Sequence, residues 1–404
     1  LGRPGAEYVE TNARGRVIRV LDRVPPAAGA NLRLHLDARL QDVAYQALAG
    51  ARGAVVAIDT KTGGVLAMAS APSFDPNPFV TGISTAAYKA LIESPDNPLF
   101  DRAVRGQYPP GSTVKPVFGL AALDSGIATP SFGIYDPGFF RLDNSTHKYR
   151  DWKRGGHGIV NLYDAIVQSC DVYFYTVGTR MGIDRLHRYA TAFGFGAPTG
   201  VDLPNEAAGI MPSREWKPGA RGLAWYPGDT VNTSIGQGFM TATPLQLAVA
   251  TSRIAMRGEV RAPRLGRTLG LSPVANPPSA APIRVASEHW DEIFRGMRGV
   301  VEDRQGTARS AIAAMGPATY TMAGKTGTAQ VVGVKQNARY DPRRLTKTQL
   351  DHALFIAFAP VESPRIAVGV LVENGEHGSS TAAPVARRVI DAFMQFYPDG
   401  TGHE

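Results

Sequence analysis

The chain holds a single cysteine, Cys170, so no disulfide can form within it, although one thiol does not define a redox compartment. No apolar run approaches the ~20 residues that a membrane-crossing helix needs, and no signal-peptide pattern is present. The formal charge of +8 comes without a long Lys/Arg block or a nucleic-acid-binding motif, so nucleic acid is not an expected partner. A basic balance of this size suits solubility, and it equally suits attraction to an anionic polymer or membrane surface. Ile235-Gly236-Gln237-Gly238 is glycine-rich but lacks a Gly-Lys-Ser/Thr ending, which excludes a phosphate-binding loop. Low-complexity tracts and internal repeats are absent too: the 44 glycines and 30 prolines are spread along the chain as turn residues.

What remains is an ordinary globular composition, 44% hydrophobic and 19% charged, over 404 residues, enough for two or three domains. The opening Leu1-Gly2-Arg3-Pro4-Gly5 reads as the interior of a longer, truncated chain or an engineered joint. Residues 1 to about 50 are basic and turn-rich, with a strand-like alternation at 31–36 and Asp37 placed to cap a helix carrying Leu40, Val43, Ala44 and Leu48 on one face. Apolar strands follow at 54–59 and 64–70 around a hairpin turn. Helices are expected at 112–125, 161–182, 183–193, 244–257 and 288–301, strands at 319–323, 353–359 and 365–373, and a last helix at 381–397. The first strand pair must meet the last three to bury its apolar faces. That predicts an α+β fold: one antiparallel sheet covered by helices, with an inserted helical lobe that forms a cleft against it.

Three short motifs carry chemistry. In Pro109-Pro110-Gly111-Ser112-Thr113-Val114-Lys115, Ser112 opens a helix and Lys115 lies one turn later on the same face, a base within reach of a hydroxyl. Ser169-Cys170-Asp171 falls in a helical stretch. Gly324-Lys325-Thr326-Gly327-Thr328 follows a strand-like run, and its cation and hydroxyls on an edge strand suit a carboxylate-ended peptide that adds as an extra strand. Each is weak alone: a capping serine with a solvated lysine, a helix interior and a β-turn would read the same way. Their joint order and placement are specific. Ser-x-x-Lys, Ser-x-Asp and Lys-Thr-Gly form the three-motif signature of penicillin-binding proteins and serine β-lactamases.

The resemblance extends further. Arg52–Asp59, Tyr108–Lys115, Ile235–Pro244 and Ala323–Gln330 resemble class B penicillin-binding transpeptidases. Tyr149-Arg150-Asp151-Trp152 and Gly155-Gly156-His157-Gly158 resemble the penicillin-binding protein 2 family, the elongation enzymes of rod-shaped Gram-negative bacteria. This implies a transpeptidase domain over 51–400, with a sheet part at 51–75 and 310–400 and a helical lobe at about 76–309, preceded in residues 1–50 by the remnant of an N-terminal pedestal. It implies that Ser112 acylates on D-Ala-D-Ala stem peptides, that Lys115 takes its proton, and that Ser169 with Lys325 relays a proton to the leaving amine. The backbone N–H groups of Ser112 and Thr328 would form the oxyanion hole, and Lys325, Thr326, Gly327 and Thr328 would line the carboxylate site. The second motif departs from the general pattern, which ends in Asn: Asp171 is a carboxylate that must pair with Lys115 or Lys325.

Further implications are covalent inhibition by β-lactams, a RodA-type glycosyltransferase and an MreC-type shape protein as partners, and a periplasmic location behind a membrane anchor outside this sequence. No Glu-x-x-x-Asn segment lies between the second and third motifs, so the deacylating base of a class A β-lactamase is missing; a β-lactam sensor or scaffold of the same fold is the other alternative. Catalysis needs no metal. Asp136, Asp151, His157 and Cys170 form a donor set suited to four-coordinate zinc, although their spacing is irregular and a buried thiol, a loop histidine and two capping aspartates read equally well. The resemblance favours a structural zinc on these four residues. His187, His289, His352 and His377 lack paired spacing and read as core or surface residues, with His377 near the cleft rim; Trp152, Trp216 and Trp225 read as packing.

Overall fold

The computed structural model describes residues 2–143, 145–275, 280–333 and 342–398. Residue 1 of the expected pedestal remnant, 144 and 276–279 of the expected lobe, and 334–341 and 399–400 of the expected sheet part lie outside the described residues. Five strands make the main sheet: β1 (Gly53–Asp59), β2 (Val65–Ala71), β3 (Ala323–Ala329), β4 (His352–Ala359) and β5 (Ile366–Val372). Their order is β3-β4-β5-β1-β2, antiparallel at every step. Apart from β3, which carries Lys325, Thr326 and Thr328, the strands are mostly apolar runs rather than alternating ones because both faces are covered. Val55 and Ala57 point into one core, while Ala54, Val56 and Ile58 point into the other.

Seven helices matter here: α1 (Ala38–Ala47), α2 (Lys115–Asp124), α3 (Leu162–Val167), α4 (Asp171–Ala192), α5 (Pro244–Ala255), α6 (Ser287–Glu302) and α7 (Ala383–Phe396). Helices α1 and α7 pack together with Val55 and Ala57 through Leu40, Ala44, Val385 and Val389. On the opposite face, α5 brings Leu245, Ala248 and Val249 against Ala54 and Val56. In the lobe, α2 runs through the middle and is buried from Lys115 to Leu123, packed by α4, α3 and α6. Burying side chains such as Phe118 and Leu120 stabilises by about 1.5–3 kcal/mol each, which holds the helix that follows Ser112 rigidly.

Two expectations shift. The strand placed at 319–323 forms instead at 323–329. Tyr320 and Thr321 look strand-like, but their hydroxyls are drawn off to Asp391 and Glu362, and the sheet register begins at Ala323. The helix expected over 161–182 breaks at Gln168–Cys170. The boundary expected between 182 and 183 is present: Gly182 leaves helical geometry (φ 74°, ψ 164°) and divides α4 into two helical segments.

Before the sheet, Ala6–Thr11 and Val17–Val24 form a solvent-exposed antiparallel hairpin, and Leu32–Leu34 pairs with Gly266–Leu269. Asp37 caps α1, accepting from the backbone N–H of Arg39 at 2.8 Å and of Leu40 at 3.4 Å, and it also takes hydrogen bonds from the Arg39 guanidinium and the Tyr397 hydroxyl beyond α7. Burial alone would raise its pKa; the bonds from Arg39 and Tyr397 outweigh that and hold it well below the ordinary carboxylate range. A depressed pKa contributes stability above the unfolded value of about 3.9 that is lost as pH falls through the folded one. Asp37→Ala should therefore cost about 1–2 kcal/mol at pH 7, the scale of a lost cap. In urea denaturation the gap to the parent protein should shrink as the pH is lowered below 4; an equal gap at every pH would contradict this account.

Candidate active site

Ser112 lies in a 3-10 turn, Gly111–Val114, that runs directly into α2. In such a turn residues three apart eclipse, so Ser112 and Lys115 share a side. The turn is pressed onto β3. Gly111 has φ +54°, and an added Cβ would lie 2.5 Å from the Thr328 carbonyl; one on Gly327 would lie 2.7 Å from the Thr113 methyl. Only glycine at these two positions lets the nucleophile turn and the third-motif strand touch along their backbones. Gly111 N–H donates to Gly236 O at 2.9 Å, and the Gln237 side chain donates to Thr328 O at 2.9 Å, so the glycine-rich loop at 235–238 clamps both partners.

The second motif supplies the centre. Ser169 sits in the break between α3 and α4 with φ +59°, a left-handed conformation that costs a non-glycine residue roughly 1–2 kcal/mol. That turn aims its hydroxyl between two ammonium groups. Lys325 Nζ donates to Ser169 Oγ at 2.8 Å, and Lys115 Nζ lies 3.3 Å from the same oxygen. Lys115 also donates to Ser169 O at 2.9 Å and to Asp171 Oδ1 at 2.6 Å. Both lysines are fully buried. Of the two possible partners for Asp171, the structure selects Lys115; among the described residues no hydrogen bond joins Lys115 to the Ser112 side chain, because its three donors go to Ser169 and Asp171. Burial pushes the Lys325 amine well below the ordinary lysine range, the nearby Lys115 charge adds to this, and Asp171 offsets part of it.

Thr326 is buried with its hydroxyl 2.9 Å from that of Thr307, a contact that no motif signalled. Residues 378–382, just after the exposed His377, pack on β3. Trp152 is not a packing residue: it is 62% exposed, with its backbone N–H 3.2 Å from Asp171 Oδ2 and its ring N–H 3.1 Å from Gln168 O. Trp216 and Trp225 are half-buried in the lobe, Trp225 donating to Thr230 at 2.9 Å.

Behind this centre the donor atoms of Asp136, Asp151, His157 and Cys170 lie within 4.8 Å of one another. Asp136 Oδ2 is 2.7 Å from His157 Nδ1 and 3.4 Å from Cys170 Sγ, and His157 Nδ1 is 3.5 Å from Asp151 Oδ1. Among the described residues the other ring nitrogen, Nε2, is buried without a hydrogen-bond partner. Asp151 Oδ2 accepts from the backbone N–H groups of Asp171 at 2.7 Å and Val172 at 3.2 Å, so the cluster grips the start of α4. Two carboxylates, an imidazole with an unsatisfied nitrogen and a thiol in one buried pocket fit a four-coordinate divalent cation.

The penicillin binding protein transpeptidase domain matches residues 53–391. The chain belongs to the penicillin-binding protein transpeptidases. Within that family it falls in the class B PBP2 (MrdA) group: it is 47% identical over 97% of its length to the peptidoglycan D,D-transpeptidase MrdA of Acinetobacter baumannii. It spans 58–62% of the length of the MrdA relatives from A. baumannii, Haemophilus influenzae and Escherichia coli. Its fold matches Pseudomonas aeruginosa PBP2 in complex with WCK 5153 with a TM-score of 0.85 at 48% identity, covering 92% of this chain and 78% of that one. Helicobacter pylori PBP2 in complex with MreC matches with a TM-score of 0.83 at 35% identity, covering 98% and 69%. The penicillin G acyl-enzyme of Mycobacterium tuberculosis penicillin-binding protein A matches with a TM-score of 0.75 at 30% identity, covering 92% and 82%. The α+β fold and the family read from three motifs are those of these neighbours. For this family, catalysis requires no cofactor.

Proposed function

We propose that the chain is the catalytic part of a D,D-transpeptidase that joins peptidoglycan stem peptides through an acyl-Ser112 intermediate, in cell elongation, and that β-lactams acylate the same serine. The observation that carries this is the Ser169 hydroxyl held between Lys115 and Lys325 beside the nucleophile turn. An ammonium cannot accept a proton, so one of the two lysines must be neutral when Ser112 reacts. Lys325, fully buried and next to a second cation, is the one driven to give up its proton. Through Ser169 that vacancy passes to Lys115. Ser112 Oγ then attacks the carbonyl carbon of the penultimate D-Ala as its proton moves to Lys115. The C–N bond to the terminal D-Ala breaks, and its amine takes a proton from Lys325 by way of Ser169. An amine of a neighbouring stem peptide displaces Ser112 from the ester, forming the cross-link and returning the proton. The backbone N–H groups of Ser112 and Thr328 are assigned to the developing oxyanion, and Lys325, Thr326 and Thr328, on a strand where Gly327 allows close approach, to the substrate carboxylate.

A penicillin should therefore leave an ester on the peptide containing Ser112 that lasts for hours, and mass spectra over that time check it; drug consumed without an adduct would point to a β-lactamase. The rate has a pH signature. It should rise with pH as Lys325 loses its proton, with a midpoint below the ordinary lysine value of about 10.4, and then level off. Stopped-flow acylation from pH 5 to 10 measures this, and Lys325→Arg, which stays charged, should lose about 100-fold or more. A midpoint at the ordinary lysine value would remove Lys325 from the proton path.

Among the described residues no helix is long and apolar enough to cross a membrane. We assign the chain a periplasmic location behind a membrane anchor, a reading supported by its likeness to MrdA peptidoglycan transpeptidases. An MreC-type shape protein is a proposed partner, supported by the Helicobacter pylori PBP2–MreC complex, and a RodA-type glycosyltransferase is a second proposed partner. The four-residue cluster is assigned to zinc in a structural role. Asp136, Asp151, His157 and Cys170 would hold it, and the ion would supply a fixed charge tying the 136–157 loops to the start of α4.

A further inference from the structure

A buried polar network lies at the His352 end of β4, outside the three motifs. Glu373, just after β5, takes a hydrogen bond from the Arg102 guanidinium at 2.9 Å and from the Tyr108 hydroxyl at 2.7 Å, and pairs with Arg52 at 3.2 Å. Arg102 also donates to the carbonyls of Asn97 at 3.2 Å and Asp96 at 2.7 Å, and Arg52 donates to the Asn374 side chain at 2.7 Å. Asn374, in the left-handed region at φ 55°, donates its backbone N–H to His352 Nδ1 at 3.0 Å, and the His352 ring meets the Tyr108 ring edge-on at 5.3 Å. Two cations, the Glu373 carboxylate and one phenol thus hold one another in a mostly buried site, with the more exposed Asp96 carboxylate 3.7 Å from Arg52 at its edge; an unpaired member of such a site is costly. Burial and the Glu373 charge hold the phenol well above its ordinary range, so it remains a donor.

The network's place in the chain gives it a use. Tyr108 stands four residues before Ser112, and Pro109 and Pro110 between them have fixed φ, so the segment transmits a displacement rather than absorbing it. Its backbone is bridged both ways to Ala242 at 3.0 and 2.8 Å, and Gly111 is tied to Gly236. The Tyr108 hydroxyl ties this segment to Glu373, the residue that follows β5. We infer that Glu373 is a positioning residue for the nucleophile, acting through Tyr108 to set where the Ser112 turn lies against β3. Reactions between held groups lose rate steeply when the groups are displaced, so loosening this tether should slow acylation more than binding.

The inference rests on the acyl-serine reading above, and the test separates the two. Parent protein, Tyr108→Phe and Glu373→Gln are each titrated with a fluorescent penicillin, resolving the initial dissociation constant from the acylation rate constant, with Tm measured in parallel. Tyr108→Phe keeps the ring against His352 and removes only the hydroxyl. It should keep Tm within a few degrees and the dissociation constant within about twofold while the acylation rate constant falls roughly tenfold, the scale of one hydrogen bond to a charged group. Glu373→Gln, which also takes the anion from Arg102 and leaves Arg52 only the exposed Asp96 carboxylate at 3.7 Å, should fall at least as far. Tyr108→Phe acylating at the parent rate overturns the inference, as does a smaller burst amplitude at an unchanged rate constant, which would mean only less folded protein. A parent protein that takes no penicillin at all overturns the acyl-serine reading instead.

Discussion

Ser112→Ala leaves the protein folded and abolishes its covalent labelling by a penicillin. The two halves of this expectation have separate grounds. Ser112 is half-buried, and its side chain makes no hydrogen bond among the described residues, so truncating it should change stability by no more than about 0.5 kcal/mol. The turn that holds it depends on backbone contacts to Gly236 and Thr328, which the substitution leaves alone. Chemistry has no such reserve. Removing a serine nucleophile from a unit that includes its base costs on the order of a million-fold, about as much as removing the whole unit. Ser169, the other motif serine, cannot stand in, because its hydroxyl is engaged by two lysines and its backbone is locked in a left-handed turn. Intact-mass spectra after hours with excess penicillin, alongside a melting curve, decide the matter. An adduct on the alanine variant would mean that another residue is the nucleophile and that the three motifs have been misassigned.

The second large effect concerns the cluster behind the site. Protein purified without chelators should carry about one zinc per chain, and stripping it should lower Tm by roughly 10 °C, as expected if the ion contributes about 3–5 kcal/mol to a domain of this size. In the cluster as it stands, burial and the neighbouring carboxylates push the Cys170 thiol far up, and burial together with Asp171 raises the Asp151 carboxyl to about 6. A bound dication reverses that logic by favouring the thiolate and both carboxylates. Because Asp151 caps α4 at Asp171 and Val172, the loss should reach the second motif and slow acylation as well. Metal analysis, alkylation of Cys170 and calorimetry are the readouts. Metal-free protein with unchanged Tm, and a Cys170 that alkylates at the same rate with and without added zinc, would leave the four residues as an ordinary polar core.

Much of this protein was legible before its structure. The apolar runs at 54–59 and 64–70, the late strands and the Asp37 cap are local signals, set by burial of both sheet faces and by the orphan N–H groups of a helix start. So are the Ser112–Lys115 spacing and the small residues of the third motif. The strand carrying that motif was misplaced by about four residues because Tyr320 and Thr321 have strand-like side chains whose hydroxyls serve other elements. The break at Ser169 was unreadable: its left-handed backbone is held by contacts to lysines 54 and 156 residues away in sequence. Trp152 was taken for packing because exposure is not written in an indole.

By itself, then, the sequence determined the fold class, the family and which residues carry functional groups, since periodicity, capping and motif order act over a few residues. Tertiary structure alone decided the pairing of Asp171 with Lys115 rather than Lys325, the sharing of Ser169 by both lysines and the anchoring of Tyr108 by Glu373. Those choices are made by which buried charges come within about 3 Å of one another, and in a low-dielectric interior that proximity sets where each proton resides.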